Sequence, residues 1–298
     1  MKLKIFFLET RPHFLLLSVA LAFLGTSVAW YNGSFHLGYA LLAFFGLLLS
    51  HISVNVLNDY FDYRSGIDLE TKRTPFSGGS GILPATLLKP RQVFWLGFGA
   101  FLLTIPIGTY FVFNLPKGWL LLPLLLVAAI CILLYNILIL KLSWPEWAPG
   151  VGLGVLPVLG AYFVQTSAYT LPALVASIPS GILVHNLLLL NEFPDTEADR
   201  KAGRKTTPIT MGKAKASIFY SILTVAVYLW IVGAVVAGVM PPFCLIALLT
   251  LPFAIKAIQG ALKYDDASKL VPAMGSNVLI ILLIQFLLGI GYILARVL

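Results

Sequence analysis

The sequence predicts an all-α, polytopic membrane protein, a bundle of nine transmembrane helices, and three observations predict it. Of the 298 residues, 59% are hydrophobic and only 11% charged, against about 25% charged in a soluble globule, and mean hydropathy is +0.93. Apolar runs of roughly 20 residues, long enough to cross a bilayer as helix, recur along the whole chain. The hydrophobic centres of those runs contain no Asp, Glu, Lys or Arg. Backbone inside hydrocarbon must satisfy its own hydrogen bonds, which selects helices.

The first run, 12–30, begins at Arg11-Pro12. Lys2, Lys4, an apolar stretch and Ser27-Val28-Ala29 have the outline of a signal peptide. Signal cores are only about 7–15 residues, so the first helix is expected to be retained. The second run, 37–57, leads directly into an acidic segment. The third and fourth, 92–113 and 119–140, are followed by the fifth, 147–165, whose Gly150, Gly152 and Gly154 permit close helix packing. The sixth, 171–190, ends on a second acidic segment, and the seventh covers 216–239. The eighth, 242–258, is the shortest and is flanked by prolines; the ninth is 274–295. Two long loops, 58–91 and 191–215, lie on one side of the membrane, and short links such as 32–36 and 167–169 lie on the other. Residues 1–298 read as a single integral membrane domain with no soluble module. Trp30, Trp119 and Trp147, near span ends, read as interface anchors.

With the N-terminus in the cytoplasm, alternation puts all of the 20 Lys and Arg residues except Lys117 and Arg296 on the cytoplasmic side, and the C-terminus opposite. That bias is the positive-inside pattern of a multi-pass protein of the cell (cytoplasmic) membrane. The net charge of +8 is explained by the lipid bilayer as partner, with no nucleic acid required. All 12 Asp and Glu residues fall on the same face, and acidic residues contribute little to orientation, so their sidedness asks for a second reason. Cys131 and Cys244 both lie in apolar runs without a CxxC pattern and read as inert thiols.

That second reason is an internal duplication. Asn58, Asp59, Asp62, Lys72, Thr74 and Pro75 match Asn191, Glu192, Asp195, Lys205, Thr207 and Pro208 in one register. On a helix, Asn55, Asn58, Asp59 and Asp62 fall within an arc of about 100°, a usable ligand face. In the second copy Asn191, Asp195 and Asp199 share a face at spacing four, and Pro194 is a point where the helix kinks or ends. Hard oxygen ligands without His or Cys companions suit Mg²⁺ rather than zinc, and Mg²⁺ commonly bridges carboxylates to substrate phosphates. Lys72, Arg73, Arg204 and Lys205 are natural partners for the remaining phosphate oxygens; each has positive-inside topology charge as its alternative.

Asn58-Asp59-x-x-Asp62 with Asp68, and Asp195-x-x-x-Asp199 followed by Gly203-Arg204-Lys205-Thr206, resemble the paired aspartate motifs of the UbiA superfamily of intramembrane prenyltransferases. The Asp68 spacing resembles the branch containing 1,4-dihydroxy-2-naphthoate polyprenyltransferase. Further similarities are Arg11-Pro12, Tyr135, Lys141, Glu146, and Leu156-Pro157-Val158-Leu159-Gly160 leading to Tyr162 and Gln165. The second motif departs from that branch by reading Asn-Glu-Phe-Pro-Asp. The stretch from Thr206 to Gly212 lacks the branch's usual Arg. The resemblance implies nine helices around a central cavity that both motifs cap from the cytoplasmic side. It implies Mg²⁺ held by Asp59, Asp62, Asp195 and Asp199 with Asn55 or Asn58, and Asp68 and Asn191 among the substrate-binding residues. The substrates it implies are an isoprenyl diphosphate donor and a small aromatic acceptor, in menaquinone-like quinone biosynthesis. Lys72, Arg73, Arg204, Lys205, Arg11, Tyr135 and Lys141 would stabilise the departing charge.

Transfer to 4-hydroxybenzoate or to a lipid headgroup is the alternative within that chemistry. A divalent-cation transporter is the alternative outside it, and transport sites sit near the bilayer midplane, where these spans carry no charge. Ser77-Gly78-Gly79-Ser80-Gly81 reads as a lid and lacks a nucleotide-binding pattern. His51 and His185 read as packed or hydrogen-bonded histidines, with a base near the acceptor as the alternative.

Overall fold

The computed structural model describes residues 2–71 and 73–298, and every regular element among them is helical. Among the described residues seven segments, against nine predicted runs, are long and apolar enough to cross a membrane: Leu37–Ser65, Pro90–Asn114, Trp147–Thr166, Leu171–Lys201, Lys213–Val236, Pro242–Ala261 and Ala267–Val297. The first and fourth predicted runs form shorter helices, Leu16–Tyr31 and Gly118–Leu133. Hydrogen-bonded turns over Arg11 to Ser18 lengthen the first of these.

Boundaries differ from the predicted ones where tertiary contacts overrule hydropathy. The second span does not stop at Leu57 but runs to Ser65, so the first acidic motif is helical; it ends where Gly66 adopts φ 83°, a left-handed cap. The second motif is helical too, because Leu171–Lys201 continues through Pro179 and Pro194. Proline removes one backbone donor, and the buried Glu192, Phe193, Thr196 and Asp199 around it hold the helix in place. The fourth helix ends at Leu133, not at 140. There the chain breaks into turns that carry Tyr135 and Asn136 toward the first motif, where Asn58 Nδ2 donates to Asn136 Oδ1 at 2.8 Å.

The fifth span contains a π-helical stretch, Gly150–Val155. It faces the Leu171–Lys201 helix so closely that a Cβ on Gly154 would lie 2.6 Å from Gly181 Cα. Contact of two backbones at small residues is how helices associate without a hydrophobic driving force in lipid. Polar side chains add specific links: Asn186 Nδ2 donates to Thr224 Oγ1 at 3.0 Å, Tyr220 Oη to Asn277 Oδ1 at 2.9 Å, and Ser180 Oγ to Gln285 Oε1 at 2.7 Å. The C-terminal helix Ala267–Val297 packs on Leu16–Tyr31 and Leu251–Ala261, and Leu37–Ser65 packs on Pro90–Asn114. Large side chains such as Phe113, Leu126, Leu229 and Leu249 stay exposed on the outside, as a lipid-facing surface requires.

A cavity of about 620 Å³ lies among Leu37–Ser65, Pro90–Asn114, Leu122–Leu133 and Trp147–Thr166. Leu121, Ile107, Phe111 and Val164 form part of its apolar wall; Arg11, His51, Asn55, Asn58 and Tyr135 give it polar lining.

Candidate functional site

The two acidic motifs meet beside those polar lining residues. Asp62 of the first and Asp199 of the second are ion-paired with one guanidinium, that of Arg204; the Arg204 Nη1 to Asp199 Oδ1 distance is 2.8 Å. Asp195 lies within electrostatic reach of Asp199, Asp62 and Asp68. Around the edge, Lys201 Nζ lies 2.6 Å from Glu70 Oε2 and joins the ends of the two motif segments at the surface.

Arg204 therefore makes contacts to carboxylates where the sequence pointed to phosphate oxygens. The physical reason is that two buried carboxylates repel unless a cation separates them. Burial alone would lower the guanidinium's proton affinity, but Asp62 and Asp199 raise it above its ordinary value.

Asp59 is buried and faces the Gly-rich segment. Its Oδ2 accepts the Ser80 amide at 2.7 Å, and its Oδ1 stands 3.7 Å from Arg11 Nη1. Arg11 also lies over the Phe14 ring, 4.7 Å from its centroid. The backbone at Gly79 passes so near that a Cβ there would sit 3.1 Å from both Asp68 carboxylate oxygens and 3.3 Å from Asp59 Oδ1. Burial, followed by the charges of Asp62 and Asp59, pushes Asp68 up to about 7.

Among the described residues no three carboxylate, imidazole or thiol side chains converge on one point at ligand distance. The set Asp59, Asp62, Asp195 and Asp199 is thus split, with Asp59 held by Ser80 and Arg11, and Asp62 and Asp199 held by Arg204. The donor chemistry nevertheless fits Mg²⁺: Asp59 Oδ1, Asn191 Oδ1 and Asp195 Oδ1 are buried oxygens with no hydrogen-bond donor, and a hard cation satisfies oxygens of that kind.

The other sequence-selected residues divide. Tyr135 is buried, and its phenol is raised well above its ordinary value by burial and then by Glu192. Asn55 Nδ2 donates to the Thr10 carbonyl at 3.3 Å. Arg73 donates to the Gly79 and Ser80 carbonyls and so ties the Gly-rich segment to itself. The Lys141 and Lys205 side chains are exposed; the Lys205 backbone is the part that docks, its amide on Leu140 O and its carbonyl under Trp144 N, both at 3.1 Å. Lys72 lies outside the described residues. His51 is buried with Nδ1 2.9 Å from Ser18 Oγ, and His185 packs edge-on to Phe219.

Two carboxyl groups that spacing did not select are also buried here. Glu146 Oε1 accepts the Thr207 amide at 2.6 Å, and Glu192 lies within electrostatic reach of Glu146, the Oε2 of each being buried without a hydrogen-bond donor. Glu9 Oε2 accepts the Ser80 hydroxyl at 2.9 Å, and burial, followed by the charge of Asp59, pushes Glu9 up to about 8. Glu9 has no counterpart in the duplicated register; its only sequence signal is an acid two residues before Arg11.

Known proteins share this arrangement of helices. The chain is 29% identical over 289 residues to 1,4-dihydroxy-2-naphthoate octaprenyltransferase of Bacillus subtilis (strain 168), covering 96% of this chain and 91% of that one. In structure it is similar to a UbiA homolog from Aeropyrum pernix K1, with a TM-score of 0.67 at 16% identity over 95% of this chain and 98% of that one. A UbiA homolog from Archaeoglobus fulgidus, solved bound to GPP and Mg²⁺, matches with a TM-score of 0.62 at 14% identity, covering 97% and 99% of the two chains. At such identities the structures speak to the fold. The sequence profile of the UbiA prenyltransferase family matches residues 16–287, from the first apolar helix into the last, and the chain belongs to that family.

Proposed function

We propose that this protein transfers an isoprenyl chain from a polyprenyl diphosphate to 1,4-dihydroxy-2-naphthoate, with Mg²⁺, in menaquinone-type quinone biosynthesis. The observation that carries the reading is the meeting of two carboxylate motifs, through Arg204, beside the polar lining of an apolar cavity. The naphthoate-specific name of the Bacillus subtilis relative, alike over nearly the whole chain, supports the choice of acceptor.

Asp59, Asp62, Asp195 and Asp199 would hold the cation, with Asn55 or Asn58 and with Asp68 and Asn191 beside them. Bound Mg²⁺ supplies charge neutralisation that turns a diphosphate into a leaving group. The chain's own residues do the rest. The apolar wall takes the isoprenyl tail and excludes water. Arg11 and Arg204, with Arg73, Lys141 and Lys205 at the rim, offer cationic donors to the departing diphosphate, Lys72 is assigned the same role from its place in the repeated motif alone, and neutral Tyr135 offers a hydroxyl donor. The allylic C–O bond breaks with its electron pair leaving on the diphosphate. The electron-rich ring carbon forms the new C–C bond, and loss of carbon dioxide from that carbon restores the aromatic ring.

In the membrane, the seven long segments and the two shorter apolar helices make nine spans of one integral domain, residues 1–298. The N-terminus and both motif loops face the cytoplasm and the C-terminus faces the opposite side of the cell membrane. The distribution of Lys and Arg supports that orientation.

The test is to incubate the purified protein in proteoliposomes with Mg²⁺, isoprenyl diphosphates of several lengths and three acceptors, dihydroxynaphthoate, 4-hydroxybenzoate and a glycerol phosphate lipid. Mass spectrometry of the extracted lipids is expected to find prenylated naphthoquinol alone. Product on another acceptor would overturn the acceptor assignment, and divalent-cation uptake without any prenylated product would overturn the enzyme reading.

A further inference from the structure

Ser80 is a junction. Its amide donates to Asp59 Oδ2 at 2.7 Å, its hydroxyl donates to Glu9 Oε2 at 2.9 Å, and its carbonyl accepts from Arg73. Its Oγ also accepts the Ile82 amide at 3.2 Å. Every polar atom of the residue is committed, and two of the commitments run to carboxylates from different elements, the Lys2–Glu9 helix and the Leu37–Ser65 helix.

Glu9 is 0% exposed, and its second oxygen, Oε1, has no hydrogen-bond donor. A buried carboxyl with a single donor is costly to keep. The helix packs inward through Ile5 and Phe6, on whose face Glu9 lies, while Phe7 and Leu8 stay exposed, and an apolar side chain at position 9 would serve that packing without the cost. The cost is offset only if the one bond it makes has value. That bond holds the Gly-rich segment 77–81 over Asp59, and it fixes which Asp59 oxygen is spoken for: Oδ2 is taken by Ser80, while Oδ1 is buried and without a donor.

We propose that Glu9 is a positioning residue for the first aspartate motif: by holding the Ser80 hydroxyl it locks the Gly-rich segment onto Asp59 Oδ2 and leaves Oδ1 directed to a cation. The inference rests on the cation–diphosphate reading of the site. The helix that precedes the first span thereby becomes part of the site's architecture. Arg11, two residues on, stands with its Nη1 3.7 Å from Oδ1, close enough to offset its charge and too far to donate a hydrogen bond to it.

Two measurements test it on the full-length protein. The first needs no activity: hydrogen exchange of the peptide containing Ser80, followed by mass spectrometry after chelation of divalent ions. Glu9→Ala and Ser80→Ala should each speed exchange of that peptide about tenfold or more, whereas Glu9→Gln, whose amide oxygen still accepts the hydroxyl, should restore the slow exchange. The second is prenyl transfer against Mg²⁺ concentration. Glu9→Ala should raise the Mg²⁺ needed for half-maximal rate at least tenfold with kcat within about threefold, Ser80→Ala should match it, and the double variant should be no worse than either single one. Exchange unchanged in Glu9→Ala, or Mg²⁺ effects of the two single variants that multiply in the double, would overturn the proposal. A wild-type protein with no prenyl transfer at all would overturn the functional reading instead, and the exchange experiment would still decide the lock. If Glu9→Ala does not fold, Ser80→Ala alone carries both measurements.

Discussion

Arg204 is ion-paired with Asp62 across 142 positions of chain, and it is the link that turns two separate sequence motifs into one site. Its guanidinium holds Asp199 as well, at 2.8 Å, so one side chain links a carboxylate of the first motif to one of the second. Removing one partner of a buried pair costs about 3–5 kcal/mol, because the charges left behind have no compensation. Arg204→Gln should therefore lower the melting temperature of chelator-treated protein in detergent by several degrees. Added Mg²⁺ should recover part of the loss, since a cation can take over between the carboxylates. An unchanged melting temperature would show that the bridge contributes nothing to the fold.

The cation assignment has its own test. Asp62→Asn and Asp195→Asn each remove a hard anionic ligand with little change in volume, so each should reduce Mg²⁺-dependent turnover by about a hundredfold or more, a loss on the scale of one strong transition-state contact. The amount of protein inserted and its helical circular dichroism should stay at the wild-type level. Wild-type turnover in either variant would remove the carboxylates from the site.

The acidic residues near the Gly-rich segment predict a direction with pH. Glu9 is held at about 8 against an ordinary 4.5, and Asp68 at about 7 against 3.8. The folded chain binds protons that the unfolded chain has already released. The stability these two groups contribute is complete below about pH 4 and is lost as pH rises through about 7 and then about 8. Without divalent ions, the melting temperature should fall between about pH 5 and pH 8.5. In Glu9→Gln the fall should be shallower and should end nearer neutral pH. A slope identical to wild type in that variant would show that Glu9 is not the group titrating.

Hydropathy and the repeat made the helical fold and both acidic motifs legible, because span length and the exclusion of charge from hydrocarbon are properties of local sequence. What stayed hidden was set by packing. Pro194 reads as a kink or an end of the helix, and the helix does not end there, the buried side chains on either side of it carrying it on to Lys201. The fourth run reads as apolar through Leu140, but the helix stops at Leu133 so that Asn136 can meet Asn58. Glu9 has neither repeat partner nor periodic neighbour, and only the folded chain brings it to Ser80. In each case a long-range contact outweighs a local preference.

The last test concerns Lys205, whose side chain is exposed at the rim while its backbone is pinned to Leu140 and Trp144. Pinning by the backbone fixes where the side chain starts from, so its ammonium can serve a diphosphate without a buried partner of its own. If it does, Lys205→Gln should lower kcat at saturating acceptor and Mg²⁺ by about tenfold, because loss of a charge that stabilises the leaving group raises the barrier itself and not only the Michaelis constant. Lys215 is the control: it is exposed, stands ten residues on in the first turn of the Lys213–Val236 helix and carries the same charge, but lies outside the repeated motif. Lys215→Gln removes an equal share of positive-inside charge, so any effect on insertion should appear in both variants. Measured per inserted molecule, activity should fall only in Lys205→Gln. Equal activities in the two would return Lys205 to the role of setting topology and leave Arg11 and Arg204 as the cationic donors at the site.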